Sequence, residues 1–513
     1  CPSCIGAFHT WLKKRYGSLD DLNRAWYTAF WSHCFSSWEQ IYPTDPSIHG
    51  LMLDWQRFTS DMTIDFFLAE TAPLRRLTPE IPITTNFQMP DVGLDYHDFA
   101  QHVDIISWDN YPEWHRHADD TAVASKAAFF HDLHRSYKHQ PFLMMESSPG
   151  ATSWQGISKK KKPAVHILSS IQALAHGSAS VQYFQWRQSR GGMEKFHDAV
   201  ISHLGADDTP LFRDVQEVST ILEKLAASAP ALMESSRQKA QVAVIYDYQN
   251  GWALHNAALP RNQEKNYQEE CIRHYGALWS LGIPCDVIDC LHTSFDQYKL
   301  ILMPMLYMLR EESAEKIRDF VRRGGVGVAT YLTGLVNGTD LCYLGGSPGN
   351  LTDVFGLAVA STDVIADYET QTLVLGEQVY RATHYADELR LRGASVLGVF
   401  RSPSGGERPA VTAHDYGAGQ ALYLAARTDG AFLRDFLGSL CEDHGLHPCV
   451  PWEIPPGVSV QKRGEVLFVM NFTEKAVRLS FKGLGYYDIL HCSAAQDRPT
   501  LPAYGLMILR PHG

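Results

Sequence analysis

The chain has 513 residues, 45% hydrophobic and 20% charged, which is ample for packed cores and too long for one ordinary domain. With 57 acidic against 45 basic side chains and a net charge of -12, nucleic acid is excluded as the main partner. No apolar run approaches the ~20 residues of a membrane-spanning helix.

The chain opens CPSC, and Cys1 and Cys4 stand at C-x-x-C spacing, half of a tetrahedral metal site. Helical spacing follows over Ala7 to Tyr16, and a long helix is predicted over Leu51 to Leu77. Four near-continuous apolar strands come next: IPITTNF (81–87), VDIISWDNY (103–111), PFLMMES (141–147) and SVQYFQW (180–186). Helical patterns around 95–101, 120–138 and 163–176 separate them. Such alternation predicts a parallel sheet covered by helices. Each strand ends in polar or aromatic residues, Asn86, Asp109 with Tyr111, Glu146, and Gln185 with Trp186, which is the pattern of a barrel carrying chemistry at its carboxyl ends. About half of a (β/α)8 TIM barrel is present. The basic run Lys159 to Lys162 reads as a solvated loop.

From about 235 to 447 the pattern is doubly wound α/β, with strands QVAVIYDY, DVIDC, KLILMPML and GGVGVATYLTG and helices over Gln268 to Leu281 and Glu312 to Arg323. The glycines of RRGGVG follow a helix, so they read as a stop and turn and not as a dinucleotide fingerprint. From about 450 onward, short apolar runs alternate with turns, which predicts a small antiparallel β domain. The expected division is 1–231, 232–449 and 450–513. The ten cysteines are scattered and lack the framing of a small secreted disulfide scaffold, so they read as reduced thiols in an intracellular setting.

Glu146, at the end of an apolar strand in MMESSPGATSW, is either desolvated for function or paired with a base. Retaining glycoside hydrolysis needs two carboxyl groups ~5–5.5 Å apart, a nucleophile and an acid/base. Glu146 fits the nucleophile, and within this chain Asp109 and Glu194 are the candidate partners. Glu194 and His197 are three apart, but no second such pair and no HExxH exists, so they read as hydrogen-bond partners for ligand hydroxyls. There is no G-x-S-x-G and no P-loop. Trp31, Trp154, Phe184 and Trp186 fit either a core or a sugar platform; Trp154, in a polar loop beside Glu146, favours the platform.

AWYTAFW, TTNF, SWDNYP, MESSPGATSW, HGSASVQYFQWRQSRGGMEKFH and CPSC together resemble family 42 of the glycoside hydrolases, the β-galactosidases. The resemblance covers essentially the whole chain and is strongest over 1–230. It implies a TIM barrel, then a glutamine-amidotransferase-like α/β domain that mediates a homotrimer, then a small β-sandwich-like domain. It implies a cytoplasmic hydrolase of terminal β-D-galactosides, with Glu146 as nucleophile and Trp31, Tyr111, Trp154, Phe184, Glu194 and His197 lining the pocket. No cofactor is implied for catalysis; Cys1 and Cys4 would match two of four structural zinc cysteines. The family's acid/base glutamate would lie before residue 1, with four barrel strands and the remaining zinc ligands. A catalytically incomplete fragment or trimer scaffold, and action on β-D-fucosides or α-L-arabinopyranosides, are the alternatives. Departures from the family pattern are Tyr27 for glycine, Ser153 for asparagine before Trp154, and the lysine run.

Overall fold

The computed structural model describes residues 1–88, 93–116, 120–232, 239–402 and 405–511. The first region carries a parallel sheet of β1 (Asn86–Phe87), β2 (Ser107–Asn110), β3 (Phe142–Ser147) and β4 (Ser178–Val181), paired in that order. Helices Tyr96–Ala100, Asp120–Ser136 and Pro163–Ala175 lie between them, within one or two residues of the predicted spans. Sequential order with a helix after each strand is an arc of a (β/α) barrel. The strands are shorter than predicted. β1 pairs only with β2, so its ladder is two residues long; after β4 the chain turns so that Phe184 donates its N–H to the Ser147 carbonyl.

Side chains alternate across this sheet. Trp108 is fully buried and stacks on His134 of the following helix at 4.4 Å, so Ser107 and Asp109 take the other face. Phe142 and Met144 are likewise buried toward the helices. A register shift between Trp108 and Asp109 then sets Asp109 opposite Glu146 and skips Met145. This bulge turns Glu146, which strict alternation would send toward the helices with Met144, onto the open face.

The second region differs from its expected form. Five parallel strands run in the order Gly419–Leu424, Val326–Thr330, Leu300–Met303, Val242–Ile245, Cys285–Ile288. The same sheet continues antiparallel through Glu407–Tyr416, Ser395–Arg401, Gln371–Leu375 and Gln378–Leu391, with Ala426–Thr428 and Leu357–Ile365 both pairing with the last, giving eleven strands among the described residues. The doubly wound pattern therefore describes only the parallel part. Gly324, at φ 112° just beyond helix Glu311–Arg322, makes the predicted turn. The last region is a five-stranded antiparallel sheet built on Val458–Arg463, Val466–Asn471 and Leu506–Pro511.

The regions interlock through buried polar contacts. Arg135 of the first reaches Asp286 of the second at 2.7 Å. Arg463 of the last, fully buried, donates to the carbonyls of Leu174 and Ser178 at 2.8 and 2.6 Å, where β4 begins. Buried polar groups are tolerated only when paired in this way. No helix among the described residues is long and apolar enough to cross a membrane.

Candidate active site

Glu146 stands at the carboxyl end of β3, and Tyr111, just beyond β2, donates its hydroxyl to Glu146 Oε2 at 2.7 Å. Burial, then the hydrogen bond and charge of Glu146, push the Tyr111 phenol upward, so it stays a proton donor. Asp109 faces Glu146 across the ladder and accepts from Asn86 Nδ2 at 2.7 Å, while its Oδ1 has no partner. Burial raises the Asp109 carboxyl to about 6; Glu146 adds to the rise and the Asn86 bond opposes it. Of four strand ends, three therefore converge on one carboxylate layer.

An aromatic wall stands over this layer. Tyr111 meets Trp154 edge-on at 5.3 Å and His197 at 5.8 Å; Phe184 meets the other side of His197 at 5.3 Å. His197 is fully buried, and burial lowers its pKa although Glu194 and Asp198 oppose this. Neither ring nitrogen has a side-chain hydrogen-bond partner, and the Phe184 backbone adds to the opposition. The His197 backbone N–H donates to the Glu194 carbonyl, and the Glu194 charge acts on both His197 and Tyr111.

The loop holding Trp154 is pinned at several points. Asp198 accepts from Ala151 N–H at 2.8 Å, and Gln155 donates to the Tyr111 carbonyl at 2.9 Å. The lysine run is not simply a solvated loop: Lys161 Nζ donates to the Ser148 carbonyl at 2.6 Å. Burial lowers that ammonium to about 8. Lys159 and Lys160 remain exposed as expected.

The structure thus joins Tyr111, Glu146, Trp154, Phe184, Glu194 and His197. Trp31 stays apart: it is 72% exposed and stacks on Phe30 at 4.9 Å. Trp186 is also exposed. The sequence reading missed Asn86 as the Asp109 partner and Asp198 as the loop anchor. Asn86 was visible only as a polar strand end, and Asp198 lay unweighed beside His197.

Cys1 and Cys4 are exposed with their sulfurs 3.2 Å apart. Thiolates on one tetrahedral zinc, at Zn–S of ~2.3 Å, lie about 3.8 Å apart, so these two exposed side chains would part by about 0.6 Å to share an ion. Among the described residues no group of three or more His, Cys, Asp or Glu completes such a site.

The family model described as Beta-galactosidase matches 1–225, its trimerisation domain matches 240–447 and its C-terminal domain matches 457–511. Beta-galactosidase BglY of Alicyclobacillus acidocaldarius is 44% identical over 99% of this chain and 75% of that protein. Beta-galactosidase GanA of Bacillus subtilis is 42% identical over 94% of this chain and 73% of its own length. A catalytic mutant of Gan42B, a GH42 beta-galactosidase from G. stearothermophilus, superposes with a TM-score of 0.95 at 40% identity, covering 100% of this chain and 76% of that one.

Proposed function

The chain belongs to family 42 of the glycoside hydrolases, the β-galactosidases, and from that premise we propose that it works by retention with Glu146 as the nucleophile. The observation that carries this reading is the Tyr111 hydroxyl on Glu146 Oε2, which orients the carboxylate beneath the aromatic wall. Glu146 attacks the anomeric carbon of a terminal β-D-galactoside, and the bond to the aglycone oxygen breaks as an α-linked glycosyl-enzyme forms. The acid/base carboxyl, which we assign to a segment preceding Cys1, protonates the leaving oxygen and then takes a proton from water. Tyr111 keeps its proton throughout and holds Glu146 in line. Glu194 and neutral His197 bind sugar hydroxyls, one accepting and the other accepting or donating. Trp154 and Phe184 supply apolar faces to the ring.

Cys1 and Cys4 are proposed as two thiolate ligands of a structural zinc, which would brace the first helix and take no part in the reaction. The middle domain is proposed to join three copies, in line with its match to a trimerisation domain.

The test is kinetic. In the full-length enzyme, Glu146→Gly should lower kcat on an aryl β-D-galactoside at least ~10³-fold. Added azide should restore turnover and yield α-galactosyl azide, because a small anion can occupy the vacated carboxylate position. Normal turnover in Glu146→Gly contradicts the assignment.

A further inference from the structure

The wall over Glu146 is made by two loops, 111–116 with Tyr111 and the segment 148–162 with Trp154. Inside, Gln155 of the second loop donates to the Tyr111 carbonyl of the first, and Lys161 ties the second loop to itself at the Ser148 carbonyl. Their outer attachments run to the C-terminal β domain, hundreds of residues away in sequence. Trp114, 3% exposed, stacks on Phe472 with ring centres 6.1 Å apart and planes 8° apart. Tyr504, 8% exposed, donates its hydroxyl to Asp120 Oδ2 at 2.8 Å and meets the His115 ring edge-on.

Asp120 in turn fixes the first loop, accepting from His115 N–H at 2.9 Å and bonding His115 Nδ1 at 2.8 Å. The Lys162 backbone N–H can only donate, and it reaches His115 Nε2 at 3.1 Å. His115 Nε2 is therefore the acceptor, Nδ1 carries the proton, and one neutral imidazole ties the end of the second loop to the first. The Lys162 ammonium closes the circuit, donating to Glu474 Oε1 at 2.6 Å and lying 4.8 Å over the Tyr504 ring. The Lys162–Glu474 pair is half-exposed and weak by itself. The Tyr504–Asp120 bond is buried, and removing the Tyr504 hydroxyl leaves Asp120 Oδ2 with His115 Nδ1 as its remaining partner, one bond short.

We infer that Tyr504, with Glu474 and Phe472, makes the C-terminal domain a brace for both loops, so that Tyr504 and Lys162 are positioning residues for the glycosidase reaction. The inference rests on the reading of the Glu146 pocket as the substrate site. It acts through Asp120, His115 and Lys162 on the placement of Tyr111 and Trp154, and touches no reacting atom.

The experiment compares Tyr504→Phe, which deletes one hydroxyl, and Lys162→Met, a surface change, with the parent full-length enzyme. Backbone deuterium exchange is followed over 111–116, 148–162 and, as a folding control, Val466–Asn471. Exchange in both loops should rise about tenfold in each variant while Val466–Asn471 stays protected. KM for an aryl β-D-galactoside should rise roughly 3- to 10-fold with kcat within about twofold, and Lys162→Arg should behave as the parent. Unchanged loop exchange in both variants overturns the inference, and so does faster exchange with unchanged KM. Glu146→Gln separates this from the nucleophile assignment: it should abolish turnover while leaving both loops as protected as in the parent.

Discussion

Asp109 and Glu146 lie across from one another on neighbouring strands, and two full charges there would repel. Asp109 resolves this by holding its proton up to about pH 6. The sign of the linked stability follows. A carboxyl raised from its usual 3.8 stabilises the fold most below that value, and the contribution is lost as pH rises through about 6. Above about 6 Asp109 adds a second negative charge beside Glu146. Asp109→Asn mimics the neutral acid and keeps the acceptor that Asn86 needs. It should therefore retain kcat/KM within about tenfold of the parent at pH 5. It should also abolish an ionisation near pH 6 in the kcat/KM profile; a profile identical to the parent's through pH 5–8 counts against this role.

At the scale of elements, the bulge in β3 and the loop after it do the positioning. Gly150 begins that loop, and a Cβ there would come within 2.4 Å of Asp198 Oδ2 and 2.6 Å of Leu211 Cδ1. The loop and Asp198 thus fit only without a side chain at this position. Gly150→Ala should push Ala151 off Asp198, shift Trp154 and lower kcat/KM about 10- to 100-fold, because small misplacements cost heavily in a preorganised site. Retention of parent kcat/KM would show that the loop position is not critical.

Strands β2 and β3 were legible in the sequence because both faces are covered or near-covered, leaving unbroken apolar runs. The bulge was not legible: Met144 and Met145 look equivalent until pairing with β2 separates them. The antiparallel half of the large sheet was missed for a related reason. Strands such as Gln378–Leu391 alternate exposed and buried residues, with charges among them, and do not form continuous apolar runs.

At the scale of the whole molecule, motif order identified the family and therefore the barrel, middle and C-terminal architecture. Glu146 and Tyr111 stood out at strand ends and Trp154 and His197 in the loops beyond them, while the resemblance to the family named the pocket set. Contacts between distant segments carried no local signal. Tyr504 and Asp120 are 384 positions apart, and neither stands out in its own stretch of chain. Lys161 and Lys162 read as a solvated run because charge patterning sees neighbours in sequence and not the Ser148 carbonyl or Glu474. The site is thus assembled by all three scales at once: a bulge aims the carboxylate, two loops wall it, and a separate domain supports the loops.

The central claim is that Glu146 forms the covalent glycosyl-enzyme. It is tested most directly by incubating the full-length enzyme with an activated 2-deoxy-2-fluoro-β-D-galactoside, which slows breakdown of the intermediate more than its formation. Mass analysis of the intact protein and its peptides then locates the label. The account predicts one fluorogalactosyl group per chain, carried on the peptide of Phe142–Ser147 and assigned to Glu146. A stoichiometric label on any other carboxylate, or turnover with inversion and no label, would contradict it.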